Sequence, residues 1–348
     1  MGNSELKTKK LNAVEVDRGK SIDALLQEMG ETGFQGKTLA GCAEVMLAMR
    51  DDPDVTSVFG YAGSLSTTGQ WKIVNWLIEN GFIDVLVGTG ANLSEDIIDA
   101  MGFGYWQGSH RTDDDRLFEQ GFNRYYDVYV DENEYGKMTR LLTEFILSLE
   151  PDRGYSSREF LGLLGNWLAA RDIHSIVAVA AAHDVPVFCP AIADSPYGDA
   201  ALLAENKGFH LAIDGMKDYV ELMALGAKIR ETGVVYIGGG VPKDFIQLLA
   251  VSADLLDDNT SDTRIPRVRD SVPDRSYPHR YAVQITTDSP QWGGLSGCTF
   301  EEAVSWGKET FEGHFAQCYC DATIALPIIA HAMAERIQGD APPRQQLF

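Results

Sequence analysis

Positive charge is scarce in this 348-residue chain: 29 lysines and arginines stand against 51 aspartates and glutamates, a formal net charge of -22. That balance excludes a phosphate-backbone partner, because nucleic-acid binding needs a surplus of Lys and Arg. It suits cationic ligands, whose local concentration a negative surface raises, and it serves solubility equally well. Cysteine is also sparse. The five thiols, Cys42, Cys189, Cys298, Cys318 and Cys320, form no dense pattern, which excludes a disulfide scaffold and points to reduced thiols. Cys318 and Cys320 are the one close pair and have no second half, and the seven histidines show no zinc-like spacing, so no metal site is expected. No apolar run approaches the roughly 20 residues that span a bilayer. Met1 to Lys10 is polar, without the apolar core of a secretory signal. The expectation is a soluble cytoplasmic protein with no nucleic-acid or membrane partner.

What is present fits a globular chain with a sizeable core, at 45% hydrophobic and 10% aromatic residues. Short apolar, β-branched runs recur at Val55–Phe59, Ile83–Val87, Val185–Phe188, Val234–Ile237 and Tyr281–Ile285. Helical spacing lies between them. Leu39, Ala43, Met46 and Leu47 share a face over Lys37–Arg50, and Trp71, Val74 and Ile78 share one over Gln70–Glu79, with Gly81 as a stop signal. A third helix is expected over Ile173–His183. Strand and helix alternating in this way imply an α/β fold: a doubly wound, mostly parallel sheet with helices on both faces. No Gly-, Pro- or Ser-rich linker and no repeat divides the chain, so one domain is expected over 21–338. An N-terminal extension (1–20) and a C-terminal tail (339–348) flank it. Within it, 257–280 carries three prolines and five arginines and reads as a polar insertion loop, at the surface or against another subunit.

Two runs end in glycine turns that feed helices, Val85-Leu-Val-Gly-Thr-Gly-Ala-Asn-Leu-Ser94 and Val234-Val-Tyr-Ile-Gly-Gly-Gly-Val-Pro-Lys243. Such turns let backbone N–H groups approach a pyrophosphate at a helix N-terminus. Neither is a complete G-x-G-x-x-G or a P-loop, and each alone also reads as an ordinary tight turn. Gly60–Gly69 adds a third loop, rich in hydroxyls. Near the carboxyl end, Glu301-Glu-Ala-Val-Ser-Trp-Gly-Lys308 offers two readings of Lys308. Desolvated against Trp306, its amine is suited to attack an imine carbon. Solvated on a helix, it pairs with Glu301 or Glu302.

The string EAVSWGK resembles the active-site lysine motif of deoxyhypusine synthases. The resemblance runs from about Ser21 to Arg336 and includes FGYAGSLSTTG, VLVGTGANLSED, FCPAIADSPYGD, IGGGVPK and CYCDAT, in the family's order. It implies a Rossmann-like sheet in a homotetramer that binds NAD and polyamines (spermidine, putrescine) at subunit interfaces. NAD takes a hydride from spermidine, 1,3-diaminopropane leaves, the butylimine passes to the lysine, and an acceptor amine then displaces it. Splitting a difficult exchange through a covalent lysine imine lowers each barrier.

Carried over by position, Lys308 is the catalytic lysine. Gly63, Ser64, Thr67, Thr89, Asp194, Gly239, Gly240, Thr287, Asp288, Ser296, Asp321 and Ala322 are the implied NAD contacts. Glu95 and Asp199 match carboxylates that hold ammonium ends, Trp306 matches an aromatic wall for a cation, and Glu302 joins the substrate-binding set. Five positions depart from the family's pattern. Asp244 stands in the place of a functional histidine and takes the second catalytic position. Trp292 and Leu295 replace two carboxylates, Leu248 an asparagine, and Ser64 another asparagine. With PQWGGLSG and GVPKD, the chain looks like the deoxyhypusine synthase-like branch. The resemblance therefore implies aminobutyl transfer to a small polyamine giving homospermidine. The alternatives are transfer to a lysine of translation initiation factor 5A, and a non-catalytic NAD- or polyamine-binding relative.

Overall fold

The computed structural model describes residues 9–226, 228–251, 278–343 and 347–348. Helices α1 (Ile22–Gly30) and α2 (Phe34–Asp51) lead into β1 (Val55–Tyr61), and α3 (Trp71–Glu79) leads into β2 (Val85–Gly88). Short helices α4 (Gly90–Ser94) and α5 (Asp96–Ala100) precede β3 (Tyr105–Gln107), α6 (Asp114–Glu119), β4 (Phe122–Tyr125) and β5 (Val128–Asp131). Then come α7 (Glu132–Ile146), β6 (Gly154–Tyr155), α8 (Ser157–Ala169), α9 (Ile176–Ala182) and β7 (Val187–Phe188). The chain continues through α10 (Pro196–Glu205), β8 (Ala212–Ile213), α11 (Gly215–Gly226), β9 (Glu231–Ile237) and α12 (Gly240–Val251). After the gap in the described residues it resumes with β10 (His279–Thr286), α13 (Phe300–Ser305), β11 (Glu309–Tyr319) and α14 (Ala322–Arg336).

Six strands form one sheet in the order β11-β10-β9-β1-β2-β7, every neighbouring pair parallel. Alternate residues feed two separate cores, as a two-sided sheet requires. Phe59, Leu86, Val235 and Val283 enter one core with α2, α3 and α14, while Val58, Val87, Val234 and Ala282 enter the other with α11 and α12. Every expected strand and helix is found, with shifted ends, and Gly81 adopts φ +77 after α3. The strand expected from Ile83 starts at Val85, and Ile83 packs in the core before it.

β11 has no counterpart among the expected strands. Glu309, Glu312 and Gly313 break its apolar alternation, and its register against β10 jumps from the His279–Glu309 pair to Tyr281–His314. A small antiparallel sheet, β3-β5-β4, is likewise new, folded around Tyr126 at φ +55. The insertion expected over 257–280 falls outside the described residues up to 277; beyond it, His279 and Arg280 already belong to β10. Among the described residues no helix is long and apolar enough to cross a membrane.

Candidate active site

The strand order reverses between β1 and β9: from β1 the chain builds outward to β2 and β7, and from β9 outward to β10 and β11. A crevice opens at the carboxyl ends of strands where such a reversal occurs. Here it is a cleft of about 490 Å³. Gly63 follows β1 and Gly239 and Gly240 follow β9 on its wall, joined by Thr287 and Asp288 after β10. Ser296, Asp321 and Ala322 complete the eight cofactor candidates that the fold brings together.

The glycines are required by space and by backbone. Gly238 and Gly240 have φ +72 and +56, and a Cβ on Gly239 would lie 2.4 Å from Ser296 Cα. The turn is fastened from below. Gln284 Nε2 donates to Gly238 O at 3.0 Å and to Ser296 O at 2.8 Å, and Ser296 Oγ donates to the Asp288 carboxylate. Asp321 caps α14 by accepting from Thr323 N at 2.8 Å. Two helix N-termini, α12 and α14, therefore open beside the cleft.

Ser64, Thr67 and Thr89 are not on the cleft wall. Thr89 Oγ1 ties the loop after β2 to the loop after β1 by donating to Gly63 O, and Thr67 Oγ1 braces the latter loop by donating to Ser64 O, both at 2.7 Å. Ser64 Oγ donates to the Glu95 carboxylate, which also accepts from Tyr125 OH at 2.8 Å. Burial raises the Glu95 carboxyl, and the two hydroxyl donors oppose the rise. Glu95 and Asp199 both act on the Tyr135 hydroxyl, which burial first and these two charges next push upward. The two ammonium-binding candidates thus share one neighbourhood. Asp194 is exposed in the turn before α10 and lies outside the cleft wall.

Lys308 lies away from that wall. It immediately precedes β11, whereas Cys320 to Ala322 follow the far end of that 11-residue strand. Its Nζ donates to Gln247 Oε1 at 3.0 Å and lies 3.4 Å from Asp244 Oδ1, with only 13% of the side chain exposed. The Trp306 ring is 5.6 Å away. Among the described residues the carboxylate at ion-pair distance is Asp244, not Glu301 or Glu302, so the solvated-helix reading of Lys308 does not hold. Glu302 is exposed on α13 and acts on Lys243 through its charge.

α12 links the cleft to Lys308, with Gly240 at the cleft and Asp244 and Gln247 at the lysine. Between them the buried Lys243 donates to Gln284 Oε1, Leu295 O and Cys298 O at 3.0, 3.1 and 2.9 Å. Burial lowers its amine to about 8. Sequence reasoning passed over Lys243, Gln247, Gln284 and Glu309. Gln284 had a signal, a polar side chain inside an apolar strand run; Glu309 had none. Among the described residues no group of three or more His, Cys, Asp or Glu side chains is placed to hold a metal ion.

A parallel sheet covered on both faces, with glycine turns opening at its reversal point, defines a Rossmann-like α/β protein. The family described as "DS: Deoxyhypusine synthase" matches residues 24–333. "Probable deoxyhypusine synthase 2" of Methanosarcina mazei is 42% identical over 324 residues, covering 92% of this chain and 89% of that one. "Deoxyhypusine synthase-like protein" of Chlorobaculum tepidum is 35% identical over 318 residues, covering 89% and 85%. The crystal structure of a putative deoxyhypusine synthase from Entamoeba histolytica shares the fold, with a TM-score of 0.62 at 17% identity over 96% of this chain and 100% of the other. The chain belongs to the deoxyhypusine synthase family.

Proposed function

We propose that the protein is an NAD-dependent aminobutyltransferase that moves a 4-aminobutyl group from spermidine, or putrescine, to a small polyamine acceptor, giving homospermidine, through an imine on Lys308. The observation that carries this reading is the Lys308 amine, largely buried and held by Gln247 and Asp244 within the segment matched to the family.

The cleft fits a dinucleotide. Gly239 leaves no room for a side chain, and the N-terminus of α12 offers N–H groups to a pyrophosphate. Asp288 and Asp321 supply acceptors suited to ribose hydroxyls, with Thr287 and Ser296 beside them. Bound there, NAD would supply a reversible hydride acceptor. Lys308 forms the new carbon–nitrogen bond, and Asp244 stands where a proton leaving Nζ is first met. Glu95 and Asp199 hold ammonium ends, since a buried ammonium without a carboxylate is costly.

The same reading makes the protein a single-domain, cytoplasmic homotetramer with active sites between subunits. Two observations support shared sites: Lys308 lies outside the cleft wall of its own chain, and 68% of Trp306 is exposed. A second reading, transfer to a lysine of initiation factor 5A, is favoured by the name "Probable deoxyhypusine synthase 2" on the 42% identical relative, against "synthase-like" at 35%. Purified protein incubated with spermidine, NAD and either putrescine or the factor separates the two. Homospermidine supports the first and deoxyhypusine the second; absence of released 1,3-diaminopropane in both contradicts aminobutyl transfer from spermidine.

A further inference from the structure

Gln247 is 0% exposed on the inner face of α12, one turn beyond Lys243. Its Oε1 is the nearest hydrogen-bond partner of Lys308 Nζ, at 3.0 Å. Its Nε2 is buried and has no partner among the described residues. A buried amide with one end on the reactive amine and the other end free is an expensive arrangement unless the free end is used.

We propose that Gln247 is the positioning residue for the Lys308 amine, presenting its carbonyl to the charged amine and its N–H to the lone pair of the uncharged one. This rests on reading Lys308 as the group that carries the aminobutyl unit. An amide has both an acceptor and a donor end, whereas a carboxylate only accepts. A carboxylate at this place would favour the ammonium, which has no lone pair with which to attack. The carboxylate that does approach, Asp244, is longer at 3.4 Å and 52% exposed, so water screens its pull.

The titratable groups that interact with the amine are Asp244 and Lys243 on α12, Glu309 on β11 and Cys298; one step further out, Glu302 on α13 acts on Lys243, and Glu309 acts on Tyr236 of β9. Glu309 is 2% exposed with neither carboxyl oxygen partnered among the described residues; burial raises its carboxyl, and the charges of Lys243 and Lys308 oppose the rise. Among the described residues the shortest polar contact to the nitrogen is the amide's, and the amide directs it. In the transfer step the uncharged Nζ forms a bond to the carbon of the protonated imine that hydride removal leaves on the donor, and a protonated imine on Lys308 results. The bond from that carbon to the departing diamine breaks, and one proton passes from Nζ to the departing nitrogen. Gln247 can follow Nζ through both charge states by turning its amide.

The test compares Gln247→Leu and Gln247→Glu with wild type, reading kcat, KM for spermidine, the pH dependence of kcat, and the borohydride-trapped adduct on Lys308 by mass spectrometry. Gln247→Leu should lower kcat about tenfold or more with KM changed less than about twofold, as misdirection of a nucleophile does. Gln247→Glu, which keeps the shape and carries the test should the leucine variant not fold, should move the acid limb of the kcat profile to higher pH. Wild-type kcat in the leucine variant, or an unmoved acid limb in the glutamate variant, overturns the proposal while wild type still traps an adduct. A wild type that traps no adduct on Lys308 overturns the reading beneath it.

Discussion

Lys243 and Gln284 meet beneath the glycine turn, Nζ donating to Oε1 at 3.0 Å, and through them β10, α12 and the 295–298 turn are held as one unit. Lys243 also fastens the carbonyls of Leu295 and Cys298, so position 295 contributes backbone to the site although its side chain is apolar.

Replacing Lys243 by Met keeps the volume and removes the donor. Three acceptors then each lose one donor and keep another, Gln317 Nε2 for Gln284 Oε1 and Cys298 O and Cys298 N for Leu295 O, so the loss costs roughly 1 kcal/mol per bond and loosens the wall carrying Ser296. Burial lowers the lysine from 10.5 to about 8, so the native state holds this proton less tightly than the unfolded chain. Its contribution to stability therefore rises as pH climbs from about 8 through 10.5. Denaturant titrations across that range should show this gain in wild type and not in Lys243→Met. Equal slopes would remove the buried lysine from the account.

Gly239→Ala places a Cβ 2.4 Å from Ser296 Cα, a clash with backbone that no rotamer relieves. The cleft must open or the 295–297 turn must shift, at a cost of about 1–3 kcal/mol. NAD affinity measured by fluorescence titration should fall by about tenfold or more, since 1.4 kcal/mol is a tenfold change. Unchanged affinity would place the dinucleotide elsewhere.

Much of this site was legible in the sequence, and the reasons differ by residue. Val58, Val85 and Val234 sit in β-branched runs that end in glycine, and a parallel sheet with open carboxyl ends follows from that pattern. Lys308 was legible through its motif. Its partner Gln247 was not, because a polar residue in an apolar helix reads as solvent-facing until packing shows it buried. β11 was hidden for a related reason. Its Gln317 lies beside Gln284 in the sheet, and the two side chains meet at 3.1 Å, so polar residues there are paired inside the protein. Glu309 begins that strand and has no local pattern to announce it.

Asp96 is fully buried, accepting from Ile176 N at 2.5 Å through Oδ2 while Oδ1 has no partner among the described residues. Burial pushes its carboxyl from 3.8 to about 7. The native state thus binds the proton more tightly, and stability is lost as pH rises from 3.8 through about 7, by an amount on the order of a few kcal/mol. Asp96→Asn keeps an acceptor for Ile176 and removes the charge. It should raise the denaturation midpoint at pH 8 and leave it nearly unchanged at pH 4. The reverse order would mean that the buried carboxylate stabilises the fold.

The most direct measurement is borohydride reduction of the protein with spermidine and NAD, followed by peptide mass spectrometry. The account predicts a 4-aminobutyl adduct on Lys308, absent from Lys308→Ala, which should still bind NAD. An adduct on another lysine, or none in a wild type that binds both ligands, would contradict it.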